Sequence, residues 1–157
     1  MRILRLELPN HSDAELHELA RLVLQLSDRY KFSPILVLSL IKVESGFDRL
    51  AVSNQGAMGL MQIKPSTAME VAGRIRVSLA AEHELYEPAV NMLLSLHYLK
   101  ELREQFREPH LYLAAYNVGP GTVQKIIRSD SPVPAGYYQK VRRSYNQYAR
   151  ALLAQGT

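Results

Sequence analysis

The segment 35–43 limits the possible folds of this chain more than any other, because seven of its nine residues are apolar. Ser33-Pro34 just before it is typical of a helix start, and Gly46 is typical of the position just beyond a helix end. The pattern therefore predicts a helix at about 34–45. A helix that is apolar nearly all round is packed on most of its sides. We expect this helix to lie at the centre of the molecule.

The other segments also carry helix signals. Ser12 followed by Glu15 has the spacing of a capping box, and apolar residues then recur at helical spacing as far as Tyr30. No segment of useful length shows the alternation typical of strands, so the predicted fold is all-α. The predicted elements are helices at about 12–30, 34–45, 64–73, 88–106, 111–117 and 122–128, a final helix that carries Tyr138, Val141, Tyr145, Tyr148 and Leu152, a long loop at 47–59 and an irregular segment at 74–85.

Length and composition favour one domain. The 157 residues suit a single domain over 1–157, in which residues 1–11 form a flexible or extended N-terminal segment. The chain has no cysteine, which excludes disulfides, thiol nucleophiles and zinc–thiolate sites. No apolar run approaches the roughly 20 residues of a spanning helix, and the N-terminus lacks a signal-peptide pattern. We expect a monomer without a transmembrane segment.

The positive charge of the chain is concentrated in its last third. Residues 1–100 carry 11 Lys and Arg against 11 Asp and Glu, whereas residues 101–157 carry 8 against 4, so this part holds the whole net charge of +4. Nucleic acid, a membrane surface or a cell-wall polymer would each suit such a surface, and so would solubility alone. Charge does not separate these alternatives.

Glu44 is the first candidate for a chemical role, because it ends the helix that is otherwise almost wholly apolar. Burial disfavours the charged form of a carboxyl, and so does the negative end of the helix dipole, so both raise its pKa. A carboxyl that is still protonated near neutral pH can serve as a general acid. The alternative is an ordinary glutamate that faces solvent.

Two further motifs combine turn residues with groups that can bind a polar ligand. The run Gly56-Ala57-Met58-Gly59-Leu60-Met61-Gln62 has two glycines and an amide that offers both a donor and an acceptor. The run Ala115-Tyr116-Asn117 precedes Gly119-Pro120-Gly121 and joins an aromatic ring to an amide at a helix end. Taken singly, the first is also compatible with an ordinary turn between helices, with Leu60 and Met61 in the core, and the second with a helix stop.

Together these motifs resemble the catalytic domain of the soluble lytic transglycosylase (SLT) family. Glu44-Ser45-Gly46-Phe47 and the two runs above stand in the family's order and approximate spacing, and the resemblance extends from about Leu16 to Tyr148. It implies an all-α, lysozyme-like helical domain of the SLT or goose-type lysozyme kind. It also implies cleavage of the β-1,4 bond between N-acetylmuramic acid and N-acetylglucosamine in peptidoglycan glycan strands, in the periplasm or cell envelope of bacteria.

The resemblance also assigns roles to single residues. Glu44 matches the family's catalytic acid and base. Tyr137 matches a tyrosine that the family has at the start of its last helix. Tyr138 belongs to the apolar stripe of that helix and is expected in the core. Many members have Glu-Thr four and three positions before that tyrosine, where this chain has Val133 and Pro134. The residues that match substrate-binding positions are Ser45, Gly59, Met61, Gln62, Tyr116, Asn117 and Tyr137, with Leu60 completing the second motif.

The sequence offers no convincing second carboxylate for a hydrolase. Asp48 is nearest to Glu44, but Gly46 is expected to end the helix between them, which favours a role in capping the loop. The family reaction needs one acid, because the 6-hydroxyl of the muramic acid attacks its own anomeric carbon and leaves a 1,6-anhydro end. The five histidines lack the spacing of a metal site, so we expect neither metal nor cofactor.

Two other functions remain open. A muramidase of goose-lysozyme type would share the fold and the glutamate but deliver water to the same bond. A non-enzymatic helical module would bind glycan, or nucleic acid through Lys140, Arg142, Arg143 and Arg150. These basic residues alternate with apolar positions on an ordinary amphipathic helix without a nucleic-acid motif, so we expect no nucleic-acid partner.

Overall fold

A computed structural model describes residues 1–154 and confirms the all-α fold. The long helices form where the apolar spacing predicts them, with boundaries within about two residues of those expected. Within the described residues no strand forms, and only two isolated β-bridges join Met58 to Val52 and to Ile63. The helices are α1 (Arg2–Glu7), α2 (Asp13–Tyr30), α3 (Pro34–Glu44), α4 (Pro65–Ile75), α5 (Pro88–Phe106), α6 (Pro109–Val118), α7 (Pro120–Arg128) and α8 (Gly136–Leu153), with a 3₁₀ helix over Glu82–Tyr86.

Helix α3 lies at the centre of the main core, as its composition predicts. Val37, Leu40 and Ile41 have no solvent-exposed surface. The helix packs against α2 and α8, and α5 packs against α2 and α6 around them. Burial of apolar surface on several sides of α3 therefore fixes where its C-terminal residue, Glu44, must lie.

Local start signals set most of the helix boundaries. The Ser12 hydroxyl accepts the N–H of Glu15, and the Glu15 carboxylate accepts the N–H of Ser12, so the predicted capping box forms. Helices α3 to α7 each begin with a proline, whose fixed φ suits a first turn. For this reason α6 begins at Pro109 and α7 at Pro120, two residues earlier than the apolar spacing predicts.

A second, smaller core supports the loop that follows α3. Its buried side chains include Met58, Ile63, Val71 and Leu85, which come from the loop, from α4 and from the 3₁₀ helix. This cluster packs beside the main core and contains no residue of α3. The segment 47–63 is therefore held from two directions, although it lacks regular secondary structure.

The expectation of a flexible or extended segment over residues 1–11 is wrong for residues 2–7, which form α1. Ile3 and Leu4 are 4% and 1% exposed and join the main core, and α1 packs against α8 and α2. A six-residue helix is unstable alone, so tertiary packing supplies its stability. Within residues 1–154, no helix has the length and apolar content needed to cross a membrane.

Candidate active site

Glu44 is the last residue of α3 and is half-buried. The chain turns away directly after it, because Gly46 and Phe47 both adopt positive φ angles of 61° and 71°. Burial of the carboxyl raises its pKa to about 7, and a hydrogen bond from Tyr137 acts in the opposite direction. Near neutral pH this carboxyl therefore exists in both protonation states, which suits a group that gives and takes a proton.

Tyr137 lies at the start of α8, where its hydroxyl donates to Oε1 of Glu44. Burial and the neighbouring Glu44 raise the pKa of Tyr137 well above its usual value, so the phenol keeps its proton and remains a donor. The hydrogen bonds among residues 1–154 leave Oε2 of Glu44 unused. One oxygen is thus held in place by the protein, and the other is available for a ligand.

The turn at residues 59–61 is fixed by Asn91, a buried residue of α5 that the sequence patterns did not single out. Its Oδ1 accepts the N–H of Met61 at 2.8 Å, and its Nδ2 donates to the carbonyl oxygens of Met58 at 2.8 Å and Leu85 at 2.9 Å. One side chain therefore satisfies three backbone groups that a neighbouring strand would satisfy in a sheet.

Gly59 is required at this turn for two reasons. Its φ is +76°, a conformation that L side chains adopt rarely. A Cβ atom at this position would also lie 2.3 Å from Nδ2 of Asn91 and 2.3 Å from the carbonyl oxygen of Leu85. The backbone at Gly59 thus passes close to Asn91 and to Leu85, inside the protein.

Two side chains connect this turn to the helices that carry the other motifs. The Ser45 hydroxyl donates to the carbonyl oxygen of Leu60 at 2.8 Å, and the Tyr116 hydroxyl donates to that of Met61 at 2.8 Å. Tyr116 is close enough to Glu44 that the carboxylate contributes, with burial, to raising the pKa of its phenol. The three sequence motifs and Tyr137 therefore come together around Glu44.

Met61 contributes its carbonyl oxygen to this arrangement, but its side chain has no exposed surface. It packs in the main core, whereas we expected it to line the cleft. Asn91 accepts the N–H of Met61 and Tyr116 donates to its carbonyl oxygen, so the backbone is held on both sides of Met61 while its side chain points into the core.

The two amide side chains differ in their surroundings. Gln62 is half-buried, and its Nε2 donates to the carbonyl oxygens of Ala51 at 3.0 Å and Gly59 at 2.9 Å. Among the hydrogen bonds of the described residues its Oε1 accepts none, so this oxygen can accept one from a ligand. Asn117 is exposed next to the last residue of α6, so the oxygen and the nitrogen of its side-chain amide can both meet a ligand.

Asp48 has the loop-capping role expected for it. It is exposed, and its Oδ1 accepts the N–H of Leu50 at 2.8 Å. Burial and Tyr137 account for the shifted pKa of Glu44, and no second carboxylate within residues 1–154 contributes to it. The described residues also contain no group of three or more His, Asp or Glu side chains placed to hold a metal ion.

Two residues depart from the resembled family's pattern, of which Val133 is half-buried and Pro134 is exposed. Val133, which stands where many members have glutamate, packs against the main core. Tyr138 also packs there, as expected, with its ring edge-on to His110 and beneath the guanidinium of Arg142 at 5.8 Å. Tyr137 reaches Glu44 although the Glu-Thr pair is absent.

A cavity of about 850 Å³ lies elsewhere, between α2 and residues 46–50. Its walls include Leu16, Leu19, Phe47, Asp48 and Leu60. It is not lined by Glu44, Gln62, Tyr116, Asn117 or Tyr137. Glu15, which lines this cavity, has a lowered pKa because its carboxylate accepts the capping-box hydrogen bonds from Ser12. A pKa shift with this structural cause does not indicate a reactive group, so we place the candidate site at Glu44 and not in this cavity.

The geometry agrees with the comparison to known proteins. The chain matches the family described as "Transglycosylase SLT domain" over residues 21–136. The chain belongs to this family. The SLT match includes Glu44, Gln62 and Asn117, ends one residue before Tyr137 and leaves α1 outside it.

Several relatives of this SLT domain carry transglycosylase names. The chain is 31% identical over 78% of its length to "Membrane-bound lytic murein transglycosylase C" of Klebsiella pneumoniae, and 28% identical over 85% to the protein of that name from Photorhabdus laumondii. A solved structure of an inactive glutamate-to-glutamine mutant of lytic transglycosylase Slt from Pseudomonas aeruginosa superposes with a TM-score of 0.74, at 27% identity over 84% of this chain.

The SLT domain is only part of these relatives. The chain spans 37% of the Klebsiella protein, 40% of the Photorhabdus protein and 24% of the Pseudomonas chain. It also covers 24% of the 70-kDa soluble lytic transglycosylase of Escherichia coli, with a TM-score of 0.69 at 26% identity.

Proposed function

We propose that this chain is the catalytic domain of a peptidoglycan lytic transglycosylase, which cleaves the β-1,4 bond between N-acetylmuramic acid and N-acetylglucosamine. The observation that carries the proposal is the carboxyl of Glu44, whose pKa lies at about 7 and whose Oε1 is held by Tyr137 where the three SLT motifs meet. The names of the relatives support the same activity.

In the first step, Glu44 acts as a general acid. Protonated Oε2 gives its proton to the glycosidic oxygen while the bond from that oxygen to the anomeric carbon breaks. A pKa near the working pH maximises the product of protonated fraction and acid strength. Tyr137 keeps its own proton and orients the carboxyl through Oε1, so the free oxygen faces the substrate.

In the second step, Glu44 acts as a general base. Its carboxylate takes the proton of the muramic 6-hydroxyl while the hydroxyl oxygen bonds to the anomeric carbon of the same sugar. The carboxyl ends in its starting state, no water is consumed, and the product is a 1,6-anhydro end. An intramolecular nucleophile of this kind can have an effective molarity of about 10⁵ M or more.

Within residues 1–154 no other carboxylate contributes to the shifted pKa of Glu44, which favours this route over hydrolysis. Inverting glycosidases hold two carboxyl groups roughly 6.5–9.5 Å apart, and retaining ones about 5–5.5 Å apart. Asp48, the nearest carboxylate in sequence, is engaged with the N–H of Leu50 in its own loop. A single glutamate suffices when the substrate supplies the nucleophile.

We further propose that the glycan contacts Gln62 and Asn117 directly. The free Oε1 of Gln62 can accept a hydrogen bond from an N-acetyl amide, and the exposed amide of Asn117 can both donate and accept. Ser45, Gly59, Met61 and Tyr116 fix the backbone between these groups through the hydrogen bonds and the close approach described above.

The proposed substrate also suggests where the protein acts. Peptidoglycan lies outside the cytoplasmic membrane, so we propose the periplasm or cell envelope as the site of action. The stem peptides of this polymer carry carboxylates, which suit the positive net charge of residues 101–157.

Gln62→Ala and Asn117→Ala should each lower the rate of cell-wall clearing by about three- to tenfold, which is the effect expected when one hydrogen bond to a ligand is lost. Gln62→Ala should also destabilise the fold by about 1–2 kcal/mol, because its Nε2 connects the carbonyl groups of Ala51 and Gly59. Exposed Asn117 should tolerate alanine within about 0.5 kcal/mol. Turbidity assays and urea unfolding measure both effects, and clearing at the full rate by both variants would remove these residues from the site.

The released muramic ends should be 1,6-anhydro sugars, each lighter by one water than the product of a muramidase. Mass spectrometry of fragments released from purified sacculi tests this, with a hydrolytic lysozyme digest as the reference. Reducing muramic ends as the main product would support a goose-type muramidase instead. Binding of glycan without any release would support a non-enzymatic module.

A further inference from the structure

Glu7, the last residue of α1, connects the two helices that carry Glu44 and Tyr137. Its side chain is only 13% exposed. Its Oε2 accepts from Nζ of Lys42 on α3 at 2.5 Å, and its Oε1 accepts from the hydroxyl of Tyr148 on α8 at 2.8 Å. Burial and the bond to Glu7 raise the pKa of Tyr148, so its hydroxyl remains a donor.

The contact at Tyr148 and the contact at Tyr137 lie on the same face of α8. The two residues are eleven positions apart, which is close to three helical turns and about 16 Å along the axis. Val141 and Ser144, between them on this face, are buried against the core. Helix α8 is therefore joined to the α3 side of the protein by polar contacts at two separated points, Tyr137 on Glu44 and Tyr148 on Glu7.

We propose that Glu7 is a positioning residue, which holds the Tyr137 hydroxyl on Glu44 by tying α8 to α3 through Tyr148 and Lys42. This inference rests on the proposed function, since Glu44 is the acid and base of that reaction. It gives a role to α1, which lies outside the matched SLT region.

Apolar packing between α3 and α8 does not provide this alignment by itself. Burial of apolar surface is non-directional, so it stabilises several small shifts of one helix along the other almost equally. Catalytic groups must be held to within about 0.5 Å of their productive geometry. Hydrogen bonds have a defined length and direction, and two of them on one helix face restrict both sliding and rotation.

A double-mutant cycle distinguishes positioning from a merely structural role. Tyr148→Phe removes the hydroxyl and keeps the ring, and we expect it to lower the clearing rate about tenfold. In a protein that already carries Tyr137→Phe, the Tyr148→Phe substitution should lower the rate by less than about twofold. The hydrogen bond from Tyr137 to Glu44, which Tyr148 helps to position, is already absent there. Equal losses in both backgrounds would overturn the proposal.

Variants of Glu7 itself, and a matched control, complete the test. Glu7→Gln keeps an acceptor for Tyr148 and should retain more of the clearing rate than Glu7→Ala, with helical circular dichroism verifying the fold of each. Glu101→Gln removes a bidentate ion pair with Arg74, between α5 and α4, and should leave the rate within about twofold of wild type. A loss in Glu101→Gln as large as that in Tyr148→Phe would overturn the proposal.

A readout that needs no activity separates this proposal from the proposed function. The titration of Glu44 can be followed by NMR of its side-chain carboxyl carbon. Tyr137→Phe should raise the pKa of Glu44, because it removes a hydrogen bond to the carboxylate, and Tyr148→Phe should raise it by a smaller amount. An unchanged Glu44 titration in Tyr148→Phe would overturn the role of Glu7, whereas failure of wild type to clear cell walls would overturn only the proposed function.

Discussion

Glu44→Gln is expected to lower the rate of cell-wall clearing by about 10²–10⁴-fold, the range that a single general acid and base contributes. Glutamine retains the size of the side chain and an oxygen that can accept from Tyr137, but it has no proton to give to the glycosidic oxygen. Turbidity of sacculi suspensions measures the rate, and helical circular dichroism verifies the fold. Clearing at more than about a tenth of the wild-type rate would contradict the role of Glu44.

The stability of the same variant tests the environment of the carboxyl. The pKa of Glu44 is raised from 4.5 to about 7 in the folded protein. The unfolded chain therefore loses this proton first, and folded stability decreases as pH rises from about 4.5 to 7, by about 3 kcal/mol at most. Glu44→Gln cannot titrate, so it should match wild type at pH 4 and exceed it by up to that amount at pH 8. Urea unfolding at the two pH values measures this, and a loss of several kcal/mol at pH 8 would indicate a paired, structural carboxylate.

Gly59→Ala is expected to destabilise the protein by more than about 3 kcal/mol and to abolish clearing. The new Cβ atom would lie 2.3 Å from both Nδ2 of Asn91 and the carbonyl oxygen of Leu85. Relief of this overlap requires Asn91 to move, which breaks its buried hydrogen bonds to backbone groups. Urea unfolding and turbidity clearing measure the two effects.

Gly56→Ala is a closely matched control, because Gly56 has the same φ of +76° but no atom within 4 Å of its Cβ position. The Gly56→Ala substitution should lower the free energy of unfolding by only about 1–2 kcal/mol, which is the cost of placing an L residue in this conformation. The difference between the two variants isolates the close approach to Asn91 from backbone strain. Equal losses of unfolding free energy in the two variants would show that Asn91 moves aside without a free-energy cost.

The fold could be predicted from the sequence largely because this chain marks its helices with local signals. The capping box at Ser12 and the prolines at helix starts act over a few residues, so they can be recognised in the sequence without knowledge of tertiary contacts. Glu44 could be selected as a candidate because it ends an apolar helix, but spacing alone also allowed a glutamate that faces solvent, and the resemblance of the three motifs to the SLT family was needed to choose between the two. Helix α1 could not be predicted, because six residues form a helix only where a core receives Ile3 and Leu4.

The details of the site depended on contacts between distant segments. Asn91 lies in the first turn of α5, and nothing in the local sequence shows that its side chain faces the protein interior. Only the fold brings it to Met61, thirty positions away in sequence. The opposite case is Met61 itself, whose motif position suggested the cleft but whose side chain the fold directs inward. Spacing along the chain identified the three motifs that meet at Glu44, but it predicted neither the contact of Asn91 with Met61 nor the direction of the Met61 side chain.

The loop after α3 is closed at its base, so the length of its tip can change independently of the position of Glu44. Ala51 accepts hydrogen bonds from the N–H of Gly59 and from Nε2 of Gln62, so residues 52–58 begin and end at one fixed point. The tip over residues 53–56 is exposed and turns through a bond from the N–H of Gly56 to Ser53. Because the entropy cost of a longer loop grows only with the logarithm of its length, insertions at this tip are expected to leave Glu44 and the side chains that hold it in place.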